Sequence, residues 1–222
     1  MKKLIRYIMG RTYRPLLVRY LSKERTYRYR DIRLAVPPQV FHPGFFFSTR
    51  LLLNQVKGEA LKGKTLLEPG AGSGLLSIAA AKRGASVTAT DINRTAVEYL
   101  QLNALRNRVP LRIIHSDLFE SIPPQPFDYI LINPPYYKKR PLTELDHAWY
   151  CGEQGEYFSR LFEGIGGYMH PSSKAWMVLC DGCDMDMIQE LAAKNGVKLK
   201  LVSEKKNLVE TNFIFRLQPG ER

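Results

Sequence analysis

Apolar residues recur at roughly helical spacing at Leu4, Ile5 and Ile8 and again at Leu16, Leu17, Tyr20 and Leu21, with Gly10 and Pro15 between them. This predicts one or two short amphipathic helices. Arg33 to Val36 reads as a strand stopped by Pro37-Pro38, and Phe46 to Val56 reads as a helix with Leu51, Leu52 and Val56 facing inward. From Lys64 onward, short runs of β-type residues alternate with helical stretches. Thr65-Leu66-Leu67 precedes Ser73 to Arg83, Ser86 to Thr90 precedes Asn93 to Arg106, and two further strands follow at Leu111 to His115 and Phe127 to Ile132. Such alternation predicts an α/β fold, a doubly wound parallel sheet with helices on both faces. A helix around Tyr157 to Ile165, a strand at Ala175 to Leu179 and a helix at Met185 to Lys194 continue it, and the strands Val197 to Val202 and Phe213 to Leu217 close it as an antiparallel pair.

The 222 residues, 45% of them hydrophobic, suffice for one sizeable core plus an extension. The expected division is a basic, tyrosine-rich N-terminal extension over residues 1–45, a candidate for substrate recognition, and an enzymatic domain over residues 46–222. No stretch approaches the roughly 20 uninterrupted apolar residues of a membrane helix. The start of the chain, with Arg6, Arg11 and Arg14 interrupting its apolar positions, is a poor signal peptide. Three cysteines do not form a disulfide framework, so a cytoplasmic location is expected. Cys180-Asp181-Gly182-Cys183 has redox or zinc spacing, but no second pair completes a tetrahedral set and no metal is expected.

Charge is unevenly spread. Residues 1–33 hold eleven Lys and Arg against Glu24 and Asp31, so nine of the twelve net positive charges lie there. Interleaving with Tyr7, Tyr13, Tyr20, Tyr27 and Tyr29 suits an anionic partner, either RNA, whose phosphates and unpaired bases such residues contact, or an acidic protein face. A solvated helix face whose tyrosines pack on the core is the alternative.

The densest chemistry lies after the first strand of the alternation, in Glu68-Pro69-Gly70-Ala71-Gly72-Ser73-Gly74. Gly70, Gly72 and Gly74 let the backbone turn sharply and approach a ligand closely. The next strand ends at Asp91, where a carboxylate can accept both hydroxyls of a ribose. A purely structural strand-to-helix turn is the competing reading. The glycine spacing is not that of the dinucleotide fingerprint, and Glu68 beside the loop would repel a pyrophosphate while suiting a cationic ligand with an α-amino group, such as S-adenosyl-L-methionine.

At the end of the apolar run Tyr129-Ile130-Leu131-Ile132 stands Asn133-Pro134-Pro135-Tyr136. Asn133 offers a side-chain carbonyl, Pro134 a backbone carbonyl, and Tyr136 a ring face on which a flat amide or base can stack. Two acceptors can hold the two N–H bonds of a planar NH2 group and leave its lone pair free to attack. A plain turn after a strand is the bland alternative.

These residues resemble the class I S-adenosylmethionine-dependent methyltransferases over roughly residues 40 to 218. The resemblance implies a Rossmann-like, mostly parallel seven-stranded sheet with an antiparallel terminal strand pair. It also implies that the Glu68-to-Gly74 loop wraps the methionine part, that Asp91 binds the ribose with Ile92 beside the adenine, and that Asp117 reaches the adenine amino group. Asp117 could instead cap a short helix. Asn133 belongs to both the cofactor-binding and the catalytic sets, the latter completed by Pro134 and Tyr136.

Asn-Pro-Pro-Tyr narrows the resemblance to enzymes that methylate glutamine N5 in proteins or adenine N6 in nucleic acids. Cys151-Gly152-Glu153-Gln154-Gly155-Glu156-Tyr157-Phe158 is similar to the segment that follows this motif in the release-factor glutamine methyltransferases, the HemK family. The departures are a shorter and basic N-terminal part, and His42-Pro43-Gly44-Phe45-Phe46-Phe47-Ser48-Thr49 in place of that family's Pro-Arg-Pro-Glu-Thr-type segment. At least two of the three phenylalanines are expected in the core. The expected activity is N-methylation of glutamine N5 in a translation-related protein; the alternatives are adenine N6 in structured RNA, or a non-catalytic RNA- or ribosome-binding protein that keeps the fold.

Overall fold

The structure, a computed structural model, describes residues 20–45, 47–207 and 210–220. The helical reading of Leu4 to Leu17 lies outside the described residues. The first described strands, β1 (Arg25–Tyr29) and β2 (Ile32–Val36), form an antiparallel hairpin that turns at Arg30 and Asp31, with Arg30 at φ 55°. Side chains alternate along β1 with a period of two, which half-buries the rings of Tyr27 and Tyr29 against the core and leaves Thr26 and Arg28 exposed. For these two tyrosines the structure shows packing on the protein itself.

The remaining elements are α1 (Phe47–Lys57), β3 (Thr65–Pro69), α2 (Leu75–Ala81), β4 (Ser86–Asp91), α3 (Arg94–Arg106), β5 (Arg112–His115), β6 (Phe127–Ile132), α4 (Glu156–Ile165), β7 (Met169–Cys180), α5 (Met185–Lys194), β8 (Val197–Lys206) and β9 (Thr211–Pro219). They build a seven-stranded sheet in the order β5-β4-β3-β6-β7-β9-β8. The first five in this order run parallel, while β9 is antiparallel to both β7 and β8.

Burial on both faces explains why β6 reads as an unbroken apolar run instead of an alternation. Leu66, Leu131 and Trp176 belong to one core cluster with residues of α1, α2 and α3. Their neighbours Leu67, Ile130 and Met177 belong to a second cluster with Phe158, Phe162 and Ile188 of α4 and α5. Strand β7 is twelve residues long, reaching well before the apolar stretch that predicted it, because its start at Met169 pairs with Phe127 across a register shift.

Of the three consecutive phenylalanines, Phe47 packs on the core, Phe45 is exposed beside Tyr20 and His42, and Phe46 lies outside the described residues. Among the described residues no helix is long and apolar enough to cross a membrane.

The chain leaves β3 toward β4 and β5 on one side and returns through β6 on the other, so the winding reverses between β3 and β6. In open α/β sheets a crevice forms at the carboxyl ends of the strands at such a switch point. Glu68 and Asn133 stand at these two ends.

Candidate active site

The glycine loop after β3 is held by the end of β4. Asp91 Oδ2 accepts from the Gly72 N–H at 2.8 Å and Asp91 Oδ1 from the Asn93 N–H at 2.9 Å, while the Ala71 N–H donates to the Thr90 carbonyl at 2.8 Å. Gly70, Gly72 and Gly74 all have positive φ, as a loop that reverses this tightly requires. Their surroundings differ. A Cβ on Gly70 would meet nothing within 4 Å, whereas one on Gly74 would stand 2.3 Å from Leu100 Cδ1. Gly70 therefore borders open space in the cavity wall, and Gly74 lets α2 approach α3.

Glu68 is buried, and its carboxylate accepts a hydrogen bond from Ser77 of α2. Burial pushes the Glu68 carboxyl up to about 8. Burial also raises Asp91, against the opposing effect of its two N–H donors. No Lys or Arg forms a salt bridge with either acid among the described residues.

Glu68, Gly70, Gly72, Asp91, Ile92, Asp117, Asn133, Pro134 and Tyr136 all line one cavity of about 510 Å³; Gly74 stands behind its wall. Ile92 is fixed through its carbonyl, 2.8 Å from His115 Nε2. Asp117 is no helix cap: its carboxylate pairs with Arg160 of α4 at 2.6 Å, leaving one oxygen for another partner. The Asn133 side chain has no hydrogen-bond partner among the described residues, and its amide is free to meet a ligand. Tyr136 is less free. Its ring packs on the second core cluster and stands edge-on to Tyr137 with centroids 4.8 Å apart, and its hydroxyl lies within electrostatic reach of the Cys180 sulfur, so it presents one constrained face to the cavity.

The sequence reading missed several walls. Gln39, Val40 and Phe41 come from the segment assigned to the N-terminal extension, and Trp149 from the loop between β6 and α4. Phe41 and Trp149 meet with ring centroids 5.4 Å apart. The loop is tied down by hydrogen bonds from Tyr137 to the Trp149 carbonyl and from Cys151 back to the Tyr137 carbonyl, both 3.0 Å, and a reciprocal Thr143–Asp146 capping box closes its middle. Tyr157 and Arg160, at helical spacing on α4, also line the cavity. The signal the sequence carried was the Cys151-to-Phe158 segment, whose Gly155, at φ 76°, starts that helix.

Residues 32–149 match the family model of the Methyltransferase small domain. The chain belongs to that family. Among curated relatives, a provisionally named protein N5-glutamine methyltransferase of Methanocaldococcus jannaschii is 44% identical over 106 residues, covering 47% of this chain and 51% of that protein. The ribosomal protein L11 methyltransferase of Helicobacter hepaticus is 37% identical over 100 residues, covering 44% of this chain and 32% of its own length. The chain thus spans about half the length of the first relative and about a third of the second.

Among solved structures, the E. cuniculi Mtq2–Trm112 complex responsible for methylation of the eRF1 translation termination factor superposes with a TM-score of 0.63 at 20% identity, over 82% of this chain and 99% of that one. A T. thermophilus 16S rRNA N2 G1207 methyltransferase in complex with AdoMet and guanosine superposes with a TM-score of 0.60 at 19% identity, over 90% of this chain and 50% of that one. Both share the fold.

S-adenosylmethionine is the cofactor of this methyltransferase family, and the cavity fits it. Two acids with no Lys or Arg bound to them among the described residues face a space that accepts a cationic ligand, and the Gly70 side of the loop is open where a Cβ would otherwise stand.

Proposed function

We propose that the protein is an S-adenosylmethionine-dependent N-methyltransferase acting on a planar NH2 group, and that its acceptor is glutamine N5 of a translation-related protein in the cytoplasm. The observation that carries this reading is the unpartnered Asn133 amide at the end of β6, sharing one cavity with Glu68 and Asp91 across the sheet's switch point. The M. jannaschii relative's name supports glutamine as the acceptor.

In this reading Glu68 and the glycine loop hold the methionine part of the cofactor, Asp91 the ribose, and Ile92 and Asp117 the adenine. The cofactor supplies a methyl group already activated on a sulfonium. The chain therefore has to position and desolvate the acceptor instead of providing a strong base. The Asn133 side-chain carbonyl and the Pro134 carbonyl accept the two N–H bonds, drawing electron density onto the nitrogen. Tyr136 limits the slot to a flat group. As positive charge develops on the nitrogen both acceptors bind more strongly, and that difference between ground and transition states is what lowers the barrier.

Adenine N6 of an RNA is the second reading. The exposed Arg28, Arg30 and Arg33 on the β1–β2 hairpin favour it. Incubation with methyl-labelled cofactor and a cell lysate, with and without ribonuclease, separates the two. Label that stays in protein bands after ribonuclease supports glutamine; label lost with the RNA supports adenine. Asn133→Ala should lower transfer by roughly 100-fold or more while cofactor binding changes far less. Transfer that persists in Asn133→Ala would remove this assignment of the acceptor clamp.

A further inference from the structure

We propose that Cys180 and Cys183 form a reversible thiol–disulfide site, oxidised by peroxides, that acts on the acceptor loop through Tyr136. The pair stands at the carboxyl end of β7, beside the end of β6 that carries Asn133 to Tyr136. A turn closed by the Cys183 N–H donating to the Cys180 carbonyl at 3.0 Å brings the two residues together, and their sulfurs lie 3.9 Å apart. A hydrogen-bonded turn of this kind keeps its outer Cα atoms within about 7 Å, inside the reach of a disulfide.

Two donors converge on the Cys180 sulfur, the Cys183 S–H and the Gly182 N–H at 3.4 Å, and the Tyr136 hydroxyl lies within electrostatic reach of it. They favour its thiolate, and the hydrogen bond from Cys183 lowers the Cys180 thiol below the ordinary range. Cys183 is raised, chiefly by the same bond. Cys183 is also the partly exposed member of the pair, so the site is open to a small oxidant. The third thiol, Cys151, is buried with its S–H directed at the Tyr137 carbonyl, and burial raises it.

The chemistry balances with hydrogen peroxide as oxidant. The Cys180 thiolate attacks one peroxide oxygen, the O–O bond breaks, and the departing hydroxide takes up a proton to become water. The Cys183 sulfur then attacks the resulting sulfenic acid at sulfur. The S–O bond breaks, and hydroxide leaves with the Cys183 proton as a second water. Two thiols have been oxidised and one peroxide reduced. A dithiol such as dithiothreitol reverses the change by exchange.

The consequence for Tyr136 follows from what it loses. Its hydroxyl lies within electrostatic reach of a sulfur that, as a thiolate, attracts the hydroxyl proton, and a disulfide sulfur attracts it less. Disulfide formation also shortens the sulfur–sulfur distance to roughly half and draws Cys180 toward Cys183. Tyr136 thereby loses that attraction, and its position beside the acceptor slot loosens. Loss of about an ångström of precision in positioning lowers transfer by roughly one to two orders of magnitude. The cofactor loop, on the far side of β6, is not touched.

The test treats the full chain with graded hydrogen peroxide, blocks remaining thiols with an alkylating agent and analyses peptides by mass spectrometry. The expected result is an intramolecular Cys180–Cys183 disulfide that appears before any change in Cys151 and disappears with dithiothreitol. A disulfide that involves Cys151, or a pair that oxidises only once circular dichroism shows unfolding, overturns the site.

The effect on methyl transfer rests on the function proposed above, so it is read separately, with lysate as acceptor and calorimetry for cofactor binding. Peroxide should lower transfer at least tenfold in the native chain with cofactor affinity unchanged, and should spare Cys183→Ser. A reduced protein that transfers methyl normally and is indifferent to the disulfide overturns the regulatory role alone. A disulfide that forms as described in a chain that never transfers methyl counts against the proposed function and leaves the redox site standing.

Discussion

The Asp91 carboxylate accepts the Gly72 N–H at 2.8 Å, so the acid at the end of β4 holds the glycine loop that follows β3. The residue proposed to hold the ribose is therefore also the clasp of the loop proposed to hold the methionine part. Asp91→Ala should lose both contributions at once. Cofactor affinity measured by calorimetry is expected to fall roughly 10- to 100-fold, with a stability loss of about 1–3 kcal/mol from the freed backbone donors. Unchanged affinity would remove Asp91 from the cofactor site.

Glu68 gives the pH dependence. Its folded carboxyl titrates near 8 against an ordinary value of 4.5. The folded cofactor-free chain thus keeps a proton that the unfolded chain releases, and its contribution to stability is fully present below about 4.5 and lost as pH rises toward 8. The cofactor-free protein should lose up to about 1.4 kcal/mol per pH unit across this window, and Glu68→Gln should flatten the profile. A cationic ligand should expel the proton. Calorimetry at pH 7 in buffers of different ionisation enthalpy should register proton release in the native chain and none in Glu68→Gln.

Gly70 and Gly74 should fail in different ways. Gly74→Ala forces a methyl group onto Leu100 at a φ of 86°, so a loss of about 3 kcal/mol is expected, seen as a melting temperature lower by roughly 6–12 °C. Gly70→Ala meets open space and should cost about 1–2 kcal/mol in backbone strain, with its larger effect on cofactor affinity. Equal effects on both properties in both variants would contradict the division between packing and ligand approach.

Asn103 is a buried joint with three hydrogen bonds to two residues: its amide N–H groups donate to the carbonyls of Ala35 at 2.9 Å and Ser73 at 3.0 Å, and its oxygen accepts from the Ala35 N–H at 2.8 Å. It ties β2 to α3 and to the cofactor loop. Asn103→Ala leaves these groups unpaired in the interior and should destabilise by about 3 kcal/mol in urea unfolding. A loss below about 1 kcal/mol would show that β2 is held by its apolar contacts alone.

Much of this was legible in order along the chain. The two faces of β6 could be inferred because Ile130, Leu131 and Ile132 are all apolar, and only a strand covered on both sides demands that. Glu68 and Asp91 stood out because an acid beside the glycine loop suits a cationic ligand and an acid at the end of the next strand can accept both hydroxyls of a ribose. The β1 strand was harder. Its alternation of arginines, a threonine and tyrosines has a period of two, but the charges obscured it, because arginine stems can lie half-buried against a core while their heads stay in water.

Local sequence determined the elements, the glycine loop and the acceptor motif, because each depends on backbone freedom and side-chain chemistry within a few residues. Only the tertiary structure decided that Phe41 meets Trp149, that Asp117 is paired with Arg160, and that Tyr136 lies within electrostatic reach of the sulfur of Cys180. These pairs are 108, 43 and 44 positions apart. No short-range rule couples such distances; the sheet order, for example, places the ends of β6 and β7 side by side and so brings Tyr136 to Cys180.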